Sequence, residues 1–135
     1  MDTQLLTSFG KLRYTTDGTY WKLAVQVDYD FARFYRSLVP KAVKLNVPRY
    51  SPHVTVVRGE RPRAMDNWGK YQGKTVVFQY SPWVYSRGVY WWVNVYCQEL
   101  EDIRLELGLP DTYYLTRPPD GAKCFHMTIG NTKNI

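Results

Sequence analysis

The chain has two histidines, and each sits in the same short word. One is Pro52-His53-Val54-Thr55-Val56-Val57 and the other is Phe125-His126-Met127-Thr128-Ile129-Gly130. Both are apolar, β-branched runs with a threonine two residues after the histidine. Alternate side chains of a strand share a face, so His53 lies with Thr55, and His126 with Thr128. A single such pair reads most simply as a histidine satisfied within a sheet. Two matching copies point instead to chemistry. Histidine acts as a general base or a general acid near neutral pH. Two of them on opposite sides of a phosphate permit in-line displacement, one taking a proton while the other gives one. Two threonine hydroxyls can donate to the phosphoryl oxygens between them.

Other chemistries fit these residue types less well. Zinc usually takes three or four protein ligands, and the chain offers no third histidine and no clustered cysteines. The two cysteines, Cys97 and Cys124, form neither a disulfide framework nor a zinc pattern. They read as buried free thiols in apolar stretches. Cys124 lies two residues before His126, so it shares the His126 face of a strand and remains an alternative nucleophile lining the same cleft. No Gly-rich phosphate loop is present, and no metal or other cofactor is expected.

The elements that must position the motifs recur with them. Tyr20-Trp21-Lys22-Leu23-Ala24-Val25-Gln26-Val27 alternates as a half-buried strand, with Trp21, Leu23, Val25 and Val27 on one face. Asp28 or Asp30 caps a helix whose apolar face is Phe31, Phe34, Tyr35 and Leu38. Pro40 stops it, and a loop with Pro48 and Pro52 leads to the first His-Thr strand. Then Tyr90-Trp91-Trp92-Val93-Asn94-Val95-Tyr96-Cys97 repeats the strand, with Trp91, Val93 and Val95 on the core face. A helix with Leu100, Ile103 and Leu107 follows and ends at Gly108-Leu109-Pro110. The offset is 70 residues from Tyr20 to Tyr90 and from Pro40 to Pro110. It becomes 73 from His53 to His126, because the second loop, with Arg117-Pro118-Pro119-Asp120-Gly121, is longer. A short edge strand over Lys11–Tyr14 precedes the Asp17-Gly18 turn. Between the repeats, Trp68 to Gly73 is a turn region and Lys74 to Tyr80 a strand. Trp83 to Tyr85 forms another, short strand, and Arg87-Gly88 a hairpin turn.

At 135 residues the chain is one domain, with lobes at about 19–60 and 89–131. The expected fold is α+β: two pseudo-symmetric lobes, each of antiparallel strands with a helix, around a central cleft carrying both His-Thr pairs. A net charge of +6 suits anionic partners such as nucleotides or RNA, and equally simple solubility. No segment resembles a leader peptide or a membrane span, so a cytoplasmic protein is expected, without a membrane or an obligate protein partner.

Two His-x-Thr strands in a duplicated unit resemble the two-histidine (2H) phosphoesterase superfamily, which includes LigT-like 2′–5′ RNA ligases and cyclic phosphodiesterases. The resemblance runs from about Tyr20 to Asn131. Four segments, residues 52–58, 68–71, 106–110 and 123–131, are similar to the phage-encoded anti-CBASS nucleases, which degrade the cyclic di- and trinucleotide signals of a bacterial defence system. That resemblance implies metal-independent hydrolysis of a 3′–5′ phosphodiester in a cyclic oligonucleotide, within the host cytoplasm. It also implies His53, Thr55, His126 and Thr128 as the catalytic set. The alternatives are an RNA 2′,3′-cyclic phosphodiesterase or 2′–5′ ligase, and a non-catalytic sponge for cyclic nucleotides. Nucleobases need flat surfaces to stack on, and Tyr14 and Trp83 are the candidates, because both lie in irregular or edge segments. Arg58, and with it Arg117 and Lys133, can meet phosphates. Trp21 and Trp91 are assigned to the core.

Overall fold

The computed structural model describes residues 4–46 and 51–133. It is α+β, with seven strands in one antiparallel sheet and two helices. The elements are β1 (Leu6–Thr16), β2 (Trp21–Gln26), α1 (Tyr29–Ser37), β3 (His53–Arg58), β4 (Thr75–Tyr80), β5 (Tyr85–Arg87), β6 (Tyr90–Tyr96), α2 (Gln98–Glu106) and β7 (Phe125–Asn131). The order across the sheet is β4-β1-β2-β3-β7-β6-β5, and β4 also pairs with β6. The strand pairings therefore close on themselves. Strand–helix–strand occurs twice, as β2-α1-β3 and β6-α2-β7, and the two His-Thr strands are neighbours.

One face of the sheet carries the core. Leu23, Val25, Val54, Val57, Val93, Val95, Phe125, Met127 and Ile129 are buried there with Ala32 and Tyr35 of α1 and with Leu100, Ile103 and Leu107 of α2. Trp21 is buried, and Trp91 is half-buried against the same cluster. Asp28, not Asp30, caps α1: its side chain accepts from the Asp30 backbone N–H at 2.8 Å. The Asp17-Gly18 turn also forms, with Asp17 accepting from the backbone of Thr19 and Tyr20. Pro48 lies outside the described residues.

The short strand expected at Trp83–Tyr85 is β5, Tyr85–Arg87, and four further expectations change. The first strand runs from Leu6 to Thr16, longer than the short strand expected at Lys11–Tyr14, and lies between β4 and β2: Leu6–Lys11 pair with β4 and Lys11–Thr16 with β2. Gly10 hides it in the sequence, since glycine is a poor strand former. Yet a Cβ there would sit 2.3 Å from the Gln26 carbonyl oxygen, so glycine is what lets β1 lie close to β2. Second, α1 buries Ala32 and Tyr35, and leaves Phe34 at 50% and Leu38 at 59% exposure. The Tyr35 hydroxyl is bonded to that of Tyr80 at 2.8 Å, which fixes the roll of the helix. Third, the repeat has no constant offset of 70. Gln26 faces His53 and Asn94 faces His126, so β2 and β6 correspond at 68, while α1 and α2 start 69 apart at Tyr29 and Gln98. Fourth, Cys124 does not line the His-Thr cleft. It lies in a small cavity with Cys97, Glu101 and Thr112, and burial pushes its thiol up to about 11. Both cysteines are free, Cys124 buried and Cys97 half-buried.

Candidate active site

β3 and β7 touch through one ladder pair, Val54 with Met127, and both side chains are fully buried on the core side. Alternation then turns His53, Thr55, His126 and Thr128 to the opposite side. Carrying the antiparallel register one residue further each way sets His53 across from Thr128 and Thr55 across from His126. The histidines are diagonal neighbours, a placement that spaces Cα atoms by roughly 7–8 Å. All four residues line one cleft of about 710 Å3.

Both imidazoles are held alike. His53 Nδ1 is 2.9 Å from the Ser51 carbonyl oxygen, and His126 Nδ1 is 3.2 Å from that of Thr116. A carbonyl only accepts, so Nδ1 carries the hydrogen in each ring and Nε2 of the neutral ring is left as the basic atom. Burial is the main cause that lowers both affinities for protons. His126 is held down to about 4, helped by the positive charges of His53 and Arg58. His53 is lowered as well, with Lys22 and Arg58 adding to burial.

Cations surround the pair. Lys22, Arg58, Arg117 and Lys133 line the cleft, and among the described residues no carboxylate lines it, although Asp120 of the α2–β7 loop is near enough to raise the proton affinity of His126. Arg117 is steadied by the Thr112 hydroxyl at 2.9 Å, and the Lys133 ammonium lies 4.8 Å from the centre of the Tyr90 ring. Three tyrosines, Tyr20, Tyr90 and Tyr114, supply flat surfaces, and the α2–β7 loop adds Leu115, Pro118, Pro119 and Gly121.

Arg58 reaches the cleft through a fault in the ladder. Ala24 pairs with Thr55 and Leu23 with Val57, so Val56 is an extra residue, a β-bulge. After it Arg58, three positions beyond Thr55, returns to the face of Thr55 and pairs with Lys22. β7 repeats the device: Trp92 pairs with Thr128 and Trp91 with Gly130, leaving Ile129 extra.

The structure thus brings together His53, Thr55, His126, Thr128, Arg58, Arg117 and Lys133. It does not bring Tyr14 or Trp83 to them. Tyr14 lies on the core face of β1, buried, with its ring edge-on to Trp68 at 5.0 Å. Trp83 is 62% exposed in the β4–β5 connection and does not line the cleft. Sequence reading missed Lys22 and Tyr20, although β2 alternation already set both on the face opposite Trp21. It missed Tyr114, Ser51 and Thr116 for a better reason: loop residues and backbone carbonyls carry no periodic signal. Among the described residues no three His, Cys, Asp or Glu side chains gather as a metal site, and no helix is long and apolar enough to cross a membrane.

Comparison with family models, with curated proteins and with solved structures gave no match.

Proposed function

We propose that this protein is a metal-independent phosphodiesterase of the 2H phosphoesterase kind that opens cyclic di- or trinucleotide second messengers, as the phage anti-CBASS nucleases do. The observation that carries the reading is the pair of equivalently held imidazoles, each with Nε2 as its basic atom, diagonal to one another on adjacent strands. They stand in a cleft whose charged lining residues, among those described, are cationic. A volume of about 710 Å3 suits a nucleotide ligand, since small-molecule sites span roughly 300–1,000 Å3.

The proposed reaction uses the substrate's own ribose. His126, held neutral by burial and with Nδ1 bonded to the Thr116 carbonyl, takes the proton of a 2′-hydroxyl through Nε2. The 2′-oxygen bonds to the adjacent phosphorus as the bond from phosphorus to the 5′-oxygen breaks. A bound phosphodiester brings negative charge, which favours imidazolium. His53, as the imidazolium, gives its own Nε2 proton to the departing 5′-oxygen while His126 keeps the proton it took. The products of the step are a 2′,3′-cyclic phosphate and a 5′-hydroxyl. Thr55 and Thr128 donate to the non-bridging oxygens, where charge accumulates. Arg58, Lys22, Arg117 and Lys133 hold the remaining phosphate, and Tyr20, Tyr90 or Tyr114 stack on bases. The second reading is an RNA-end 2′,3′-cyclic phosphodiesterase or 2′–5′ ligase, supported by the same cationic, aromatic lining; a sponge is the third.

The test is incubation with cyclic dinucleotides, cyclic trinucleotides, their all-2′-deoxy analogues, linear RNA and RNA ending in a 2′,3′-cyclic phosphate, read by mass. The expected result is ring opening of ribose cycles and none of deoxy cycles. Hydrolysis confined to RNA ends would favour the second reading, and tight binding with every mass unchanged would favour the sponge.

A further inference from the structure

The bulges at Val56 and Ile129 each directly follow a motif threonine, and each interrupts a ladder. A bulge leaves its extra residue outside the strand pairing, and a buried carbonyl without a partner is costly. Both carbonyls are met by arginine. Arg104 Nη1 donates to the Val56 oxygen at 2.8 Å, and Arg36 Nη1 to the Ile129 oxygen at 2.9 Å. The assignment is crosswise. Arg36 is on α1, which belongs to the half containing β3, yet it holds β7. Arg104 is on α2, from the half containing β7, yet it holds β3. Arg104 is fully buried and further fixed by both carboxylate oxygens of Glu60 at 2.7 Å and by the Pro110 carbonyl. Meanwhile β3 and β7 share only one ladder pair, against six between β1 and β2.

We infer that Arg36 and Arg104 are positioning residues that set the width of the His-Thr site. Each ties a helix of one half to the carbonyl next to a motif threonine of the other half. Together they do what a single strand pair cannot, which is to fix two threonine hydroxyls and two imidazoles against each other across the β3–β7 seam. Each also stabilises the bulge that follows its threonine, and in β3 that bulge brings Arg58 to the cleft. Charge-assisted donors suit this task, because their bonds are shorter and stronger than neutral ones. The inference rests on the phosphodiesterase reading for its kinetic part only.

Arg36 is the residue to change first, being half-buried and outside the Glu60 network. Arg36→Met keeps the aliphatic stem and orphans the Ile129 carbonyl. Arg36→Lys can still reach it. Ala32→Gly in the same helix serves as a destabilising control that leaves the carbonyl bonded. Misplacement by about an ångström costs on the order of 10²-fold in rate, so kcat of Arg36→Met should fall tenfold or more with KM within threefold, and Arg36→Lys should recover part of it. Because the chain has two histidines, ring NMR signals report each half separately without any substrate. Arg36→Met should move the His126 signals more than those of His53, and Ala32→Gly should move neither. Unmoved signals in Arg36→Met, or an equal kcat loss in Ala32→Gly, would overturn the inference. Arg104→Lys supplies the mirror experiment, its larger effect falling on His53. If wild type cleaves none of the panel, the phosphodiesterase reading fails while the ring signals still decide the role of the arginines.

Discussion

The depressed proton affinity of His126 makes the protein's stability fall in mild acid, and the amount can be worked out. The folded chain holds this imidazole down to about 4, against an ordinary 6.5. Below pH 6.5 the unfolded chain therefore binds a proton that the folded chain refuses. Acid then favours unfolding, and stability present above pH 6.5 is lost as pH falls towards 4. The linkage relation puts the loss from this one group at about 2 kcal/mol at pH 5 and about 3 kcal/mol at pH 4. Carboxylates and His53 add acid sensitivity of their own, so the informative quantity is a difference. His126→Gln removes the titrating group while those others remain. Urea unfolding, followed by the fluorescence of the five tryptophans, gives stability for both chains from pH 7.5 to pH 4.5. The gap between wild type and His126→Gln should shift by about 2 kcal/mol in favour of the variant on going from pH 7.5 to pH 5. Parallel pH dependences would show that His126 is not buried as a neutral imidazole, and the choice of His126 as general base would lose its support.

Two further outcomes follow from the same geometry. Turnover in excess EDTA should equal turnover without it, because the acid–base pair needs no Lewis acid; a loss restored by zinc or manganese would contradict the mechanism. Tyr14→Phe deletes a buried hydroxyl that, among the described residues, makes no hydrogen bond of good geometry, although the Tyr71 backbone N–H lies near it. Stability by urea unfolding should stay level or rise by up to about 1 kcal/mol, and kcat/KM should not change. A large rise in KM would return Tyr14 to the substrate.

The motifs were legible because both consequences of a strand are local. His53 and Thr55 need only alternation to share a face, and the same logic carried Trp21, Leu23 and Val25 into the core. The Asp28 cap and the Pro40 stop were local too. What alternation cannot show is where it breaks. The consecutive Val56-Val57, both fully buried, are the trace of a bulge in the sequence, and that bulge sends Arg58 to the cleft. The same blindness produced the offset of 70: matching Trp21 to Trp91 keeps the parity of the strand but slips the register by two. Tyr14 points to the core face of β1, where Trp68 of the distant turn region meets its ring edge-on at 5.0 Å, and a contact between residues so far apart in sequence leaves no local signal. The Ser51 and Thr116 carbonyls that orient the imidazoles belong to any residue type, so no sequence pattern marks them.

The claim on which everything else depends is that His53 and His126 act as one acid–base unit. The measurement is kcat for His53→Ala, His126→Ala and the double variant on whichever panel substrate the wild type opens. Each single change should cost about 10²–10⁴-fold, the typical contribution of a general acid or base. Because the two protons move in one displacement, the double variant should be little worse than either single one. Losses that multiply, or a single variant that keeps wild-type turnover, would contradict it.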